Sequence, residues 1–220
     1  MAASLASSVA QNVYSLNVVG YVNVTLPAGQ FTCIANPLDA SVGGTIAGGN
    51  DITNLFPASA GIPGSSTIAT WNSSLNDYDA PHTFLSRSSA WDSNLTMNPG
   101  LGALFYNNGG SDLVITFVGQ VQQGAYTVAT LPPGAFTMAG SPVPLGGGVT
   151  NLNTTLGLVP SASDTVATWN GTLNDWNAPA TWLSRSGNWD NPAYAINPGQ
   201  GFLYYNNGSA NTWASNFTVQ

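Results

Sequence analysis

Short apolar runs, rich in β-branched and aromatic side chains, recur along the whole chain: FTCIA, STIATW, ALFYN and LVITFVGQV. Clusters of Gly, Pro, Asn and Asp separate them, which is the pattern of short strands punctuated by turns. No stretch keeps a 3.6-residue period for long. The segments DITNLF and NTTLGLV, each followed by Pro, predict short helical turns at most. The even spacing of the runs predicts an all-β fold of antiparallel sandwich-like or barrel-like units. FYNNGGSDLVITF reads as a hairpin, because Asn-Gly supplies the positive φ angles of a tight turn.

The pattern is written twice. ATWNSSLNDYDAPHTFLSRSSAW, from Ala69, returns as ATWNGTLNDWNAPATWLSRSGNW, from Ala167. Upstream, LPAGQFTCIANP matches LPPGAFTMAGSP; downstream, NPGLGALFYNNGG matches NPGQGFLYYNNGS. The first copy carries a few extra residues between Val42 and Ser66. Two copies make a tandem pair rather than a solenoid. The expected division is an arm over residues 1–16, one β unit over 17–121 and a second over 122–220. A very short connection near Gln120–Gly124 implies that the units pack together.

Composition narrows the function classes. Charged residues make up 5% of the chain, against roughly 25% in average soluble domains. There is no Lys and no Glu; the charges are Arg87, Arg185 and Asp residues, for a formal net charge of −7. With two basic residues, the chain has no electrostatic grip on nucleic acid or anionic lipid. No apolar run approaches the ~20 residues of a membrane-spanning helix. Aromatic residues are plentiful, so this is not the composition of a disordered chain. Cys33, whose counterpart is Met138, reads as a small buried apolar side chain. Ser8-Val9-Ala10 before Gln11 has the form of a signal-peptidase site, although a basic segment before it is missing. The expected location is secreted, extracellular or at the cell surface.

QNVYSLNVVGYVNVTLPAGQF, followed by ANPLD, resembles the mature start of secreted tandem-repeat β proteins of verrucomicrobial-type bacteria. The ANP…WN…W…NPGQGF skeleton is similar to extracellular β-modules of other secreted bacterial proteins. The resemblance covers nearly the whole chain. It implies secretion and a β-module type, and it carries no catalytic residues onto this sequence.

The chain offers little to an enzyme. His82 lies near Asp77 and Asp79, but no Gly-x-Ser-x-Gly elbow presents a serine, and the second copy has Ala180 at this position. The absence of Lys excludes a P-loop and a Schiff base. No cofactor is expected; calcium is the one metal considered, through the Asp and Asn oxygens of NDYD.

Arg87 and Arg185 hold the same place in the two copies. In so uncharged a chain, each is expected to pin its unit by a contact with a nearby Asp: Asp77 or Asp92 in the first copy, Asp175 or Asp190 in the second. Ligand binding is the other use for these arginines. The rings Trp71, Tyr78, Trp91, Trp169, Trp176 and Trp189 are either packing or a platform for sugars. Asn-x-Ser/Thr acceptor sites for glycosylation stand at Asn23, Asn72, Asn94, Asn153, Asn170, Asn207 and Asn216.

The leading expectation is a secreted, non-enzymatic structural protein, a pilus-like filament subunit whose partners are copies of itself. Its N-terminal arm, with Val9, Val13 and Ser15 setting the register, would add as a strand to the next subunit. The alternative is a carbohydrate-binding or adhesive module that takes glycans on the repeated rings.

Overall fold

The computed structural model describes residues 18–41 and 46–219. The proposed arm, residues 1–16, lies outside them. The chain is mostly β and antiparallel, as the spacing of apolar runs predicts. The first half contributes β1 (Val19–Leu26), β2 (Phe31–Ala35), β3 (Thr67–Ala69), β4 (Trp71–Asn72) and β5 (Asp77–Tyr78). It continues with β6 (His82–Leu85), β7 (Ala90–Trp91), β8 (Gly102–Tyr106) and β9 (Leu113–Gln120). The second half contributes β10 (Gly124–Leu131), β11 (Ala135–Gly140), β12 (Gly147–Gly148), β13 (Thr165–Asn170) and β14 (Asp175–Trp176). It closes with β15 (Ala180–Leu183), β16 (Asn188–Trp189), β17 (Ala195–Ile196), β18 (Gly201–Asn206) and β19 (Asn211–Phe217). DITNLF and NTTLGLV border or contain single helical turns, α1 (Ile52–Leu55) and α2 (Thr150–Thr154).

Each half holds one larger sheet, one long two-stranded ribbon and one two-residue pairing, β4-β5 in the first half and β12-β17 in the second. The sheets run in the orders β2-β8-β3-β6-β7 and β11-β18-β13-β15-β16; the ribbons are β1-β9 and β10-β19. The registers of the sheets correspond, and those of the ribbons do so up to a bulge between Thr127 and Ala129 in β10. Thr67 faces Thr83 as Thr165 faces Thr181, and Phe84 faces Trp91 as Trp182 faces Trp189. Leu26 faces Leu113 as Leu131 faces Asn211.

The halves meet reciprocally. The Ala35 N–H donates to the Gly199 carbonyl at 2.9 Å, and the Gly140 N–H donates to the Gly100 carbonyl at 2.9 Å. Isolated bridges Ile34↔Gln200 and Leu101↔Ala139 repeat the exchange. A contact from i to j matched by one from j to i is the signature of a two-fold interface. The approach is close enough to demand glycine. A Cβ on Gly140 would lie 2.1 Å from the Ala35 Cβ, and one on Gly201 would lie 2.6 Å from the Cys33 sulfur.

The hairpin expected over FYNNGGSDLVITF does not form. β8 pairs with β2 and β3, while β9 pairs with β1. The buried Asn107 amide decides this by donating to the carbonyls of Leu26 and Ser111, at 2.8 and 3.1 Å. It thereby passes the chain from sheet to ribbon. Asn206 does the same through Leu131 and Ser209. Positive φ falls instead at Asn76 and Asn174, in the turns of WNSSLND and WNGTLND. There the Asn72 and Asn170 side chains each accept two backbone N–H groups. The repeated motif thus encodes a hairpin turn.

Candidate functional site

The repeated aromatics divide into two sets, and neither forms an open platform. Trp91 and Trp189 are 7% and 2% exposed. Their indole N–H groups donate to the Phe56 carbonyl (3.1 Å) and to Asn153 Oδ1 (3.0 Å). They are core residues, and the sugar-platform expectation is corrected for both. Trp71, Tyr78, Trp169 and Trp176 are half-buried at the seam between the halves, around Cys33, Leu104, Met138 and Leu203. Trp71 meets Phe136 edge-on at 6.0 Å, and Trp169 meets Phe31 at 6.3 Å. Edge-to-face packing across a seam uses the ring surface that a sugar would need. Burial pushes the Tyr78 phenol up to about 12. Burial also pushes the Cys33 thiol far above its usual range, which removes it as a nucleophile.

The expected arginine pins are absent. Arg87 and Arg185 are exposed at the tips of the β6-β7 and β15-β16 hairpins, and among the described residues neither forms an ion pair. The aspartates serve their own turns instead. Asp77 and Asp175 accept the N–H groups of Tyr78 and Trp176 at 2.8 and 2.7 Å. Asp190 accepts from the Thr181 N–H at 2.9 Å, and Asp92 accepts from the Ser93 hydroxyl at 2.9 Å. The hydrogen bond from the Thr83 backbone is the main cause holding the Asp92 carboxyl below its ordinary value. Each Asp is taken up by a donor of its own hairpin.

The NDYD oxygens do not converge for calcium. Asp79 is occupied by Thr70 and Asn72, both at 2.9 Å, while Asp77 serves Tyr78. Among the described residues no group of three or more His, Cys, Asp or Glu could hold a metal. His82 Nδ1 lies 2.7 Å from the Ser93 hydroxyl, which in turn reaches Asp92. The serine stands between histidine and carboxylate, so the carboxylate does not orient the imidazole as a catalytic triad requires. Of the glycosylation acceptors, Asn23, Asn94, Asn207 and Asn216 are exposed, while Asn72, Asn153 and Asn170 are half-buried.

The feature that stands out is the β1-β9 ribbon. Its outward face exposes Val19 (65%), Tyr21 (74%), Val114 (54%) and Val118 (54%). One edge of β9 is open. Gln120 exchanges both backbone hydrogen bonds with Asp39, at 2.8 and 2.9 Å, so its N–H and C=O point away from β1. Strand alternation then points those of Val118, Thr116 and Val114 the same way. Among the described residues nothing takes them up. Beyond Ala40 this edge borders a groove of about 310 Å³, walled by Asn54, Leu55, Pro57, Ser59 and Ala60. Asp39 is set in place by a buried network: Asn50 donates to its carboxylate at 3.0 Å, and Asn36 holds Asn50 at 3.3 Å. None of these residues was singled out from the sequence, where an Asn among many Asn carries no signal.

A second feature is a cleft of about 420 Å³ beside the seam. It is lined by Asn23, Thr25, Gln30, Phe31, Trp169, Thr172, Asn197 and Gln200, among others. Its reciprocal position is tightened by Ser73, whose hydroxyl donates to the Phe136 carbonyl at 2.6 Å; Gly171 stands at the equivalent place in the cleft. Comparison with protein-family models, curated proteins and solved structures yields no match for this chain.

Proposed function

We propose that this protein is a secreted, non-enzymatic structural subunit of the cell surface or extracellular matrix. It is a tandem pair of β units that builds a pilus-like filament from copies of itself by β-strand addition, with residues 1–16 as the donor arm. The observation that carries this reading is the β1-β9 ribbon, with four large apolar side chains outward and one strand edge open. Proteins usually protect such an edge with Lys, Pro or a covering segment, and this chain contains no Lys. Charged residues are only 5% of the chain, although the net charge of −7 still opposes association. Negative-stain microscopy and sedimentation test the reading. The full chain is expected to form fibres above a threshold concentration, and the chain lacking residues 1–16 to remain folded and monomeric. A full chain that stays monomeric at every concentration refutes it.

A second reading, a carbohydrate-binding or adhesive module, is favoured by the cleft. Its amide and hydroxyl side chains surround Phe31 and Trp169. A neutral oligosaccharide would supply hydroxyls to these groups. A glycan array separates the readings: binding abolished by Gln200→Ala supports the module, and no binding to any glycan removes it.

A further inference from the structure

We infer that the acceptor for strand addition is the outer edge of β9 rather than that of β19, filled by the N-terminal segment of a second copy of this chain running antiparallel to β9. The inference rests on the filament reading and specifies where and how copies join.

Three observations carry it. First, the edge already pairs with a strand in this sense: Asp39 bridges Gln120 antiparallel, and Ala40 then lines the groove where the pairing stops. The groove continues that ladder past Val118, Thr116 and Val114, with Leu55, Pro57 and Ala60 on its far wall. An incoming strand would gain backbone bonds on one side and apolar contact on the other.

Second, the corresponding edge of β19 is covered from within the chain. A Cβ on Gly157 would lie 2.5 Å from the Ala214 carbonyl, so the backbone there sits directly against the edge. The Trp213 indole donates to the Leu156 carbonyl at 2.7 Å, and Asn211 donates to the Val159 carbonyl at 3.0 Å. The outward residues are Thr212, Ala214 and Asn216 instead of Val114, Thr116 and Val118. Pairing of one copy's arm with β9 of the next makes the contact heterologous, and repetition of such a contact gives a line of subunits.

Third, the geometry selects a second copy as donor. Val18 accepts a hydrogen bond from the Val121 N–H, so the chain before it emerges at the end of β9 that Asp39 occupies. An arm from its own body would have to cross that bridge. A neighbour's arm can enter from the open Val114 end, and its connection to its own Val18 must leave by the same end. That places its N-terminal side toward Val118, antiparallel to β9. Gln11–Leu16, with Val13 near Thr116, is long enough to span the ladder.

The test uses the full chain. Thr116→Lys puts a charge in the groove, and Thr116→Pro removes one outward N–H while the β1 ladder keeps its bonds through Ile115 and Phe117. Ala214→Lys is the matching change on β19. With folding checked by circular dichroism and melting, both Thr116 variants are expected to lose sedimenting fibres, and Ala214→Lys to form them as the original chain does. Fibres that persist in both folded Thr116 variants overturn the acceptor assignment and leave the filament reading standing. Fibres lost equally in Ala214→Lys overturn the distinction between the β9 and β19 edges. Disulfide trapping identifies the donor. Thr116→Cys chains are mixed with differently tagged chains carrying Asn12→Cys, Val13→Cys, Tyr14→Cys or Ser15→Cys. A mixed-tag disulfide dimer with at least one of them is expected. Crosslinking only when both cysteines share one chain overturns the second-copy assignment.

Discussion

The β1-β9 and β10-β19 ribbons have the same place in their halves and opposite surfaces. Where β19 buries Trp213 and is overlain by Leu156–Val159, β9 buries the smaller Ile115 and faces a groove. The pairing starts alike, Leu26 with Leu113 and Leu131 with Asn211, but β10 carries a bulge between Thr127 and Ala129 that β1 lacks, and the outer edges differ further. The difference lies in whether a neighbouring segment reaches the edge. In the second half an indole N–H and a glycine bring it there. In the first half, Pro57 and the short 3-10 turn Ala58–Ala60 stand across the groove instead. A strand edge is therefore finished or left open by a few side chains outside the strand.

The largest expected effect comes from removing the anchor of the covered edge. Trp213 is 1% exposed, and Trp213→Ala is expected to destabilise the protein by about 3–5 kcal/mol. Urea unfolding measures this, and a loss under about 1 kcal/mol would mean that the indole does not hold the edge closed. Glycine substitutions sharpen the same contrast. Gly157 and Gly61 both have φ of +74°, but a Cβ on Gly61 meets nothing within 4 Å. Gly61→Ala is expected to cost about 1–2 kcal/mol for the left-handed backbone. Gly157→Ala should cost more, because its Cβ also meets the Ala214 carbonyl; equal losses would show that the segment can lift off β19.

The seam supplies a smaller, pH-dependent effect. The Tyr78 phenol is pushed up to about 12, mainly by burial, from an ordinary value of 10.0. Its contribution is complete below pH 10, where folded and unfolded chains are both protonated. Above that the unfolded chain ionises first, so stability falls as pH rises from about 10 toward 12. Its reciprocal partner Trp176 does not titrate, so Tyr78→Phe is expected to flatten the decline in melting temperature over that range. An unchanged decline would exclude Tyr78 as its source. The smallest effects are expected at the hairpin tips. Arg87→Gln and Arg185→Gln should each change stability by no more than about 0.5 kcal/mol. A loss above 2 kcal/mol in thermal unfolding would restore the structural role that their exposure removes.

The sequence by itself determined the all-β class, the positions of the short strands and the correspondence of residues between the two halves. These are local properties: alternation, β-branched content and turn chemistry act over a few residues, and a repeated motif repeats its local geometry. The turn in WNSSLND was not read from the sequence, although it too is local: the Asn72 side chain accepts from its own neighbouring backbone. The tertiary structure decided what each turn connects. FYNNGG looks like a hairpin because Asn-Gly is a local signal, yet Asn107 finds carbonyls as distant along the chain as Leu26 and sends the next strand elsewhere. It also decided the fate of the repeated arginines and tryptophans, which occur at matching positions whether exposed at a tip, packed at the seam or buried in the core. Above all it decided which edge stays open. Val114, Thr116 and Val118 alternate like any strand; among the described residues no segment hydrogen-bonds their outward edge, whereas Gly157 packs against Ala214 on β19.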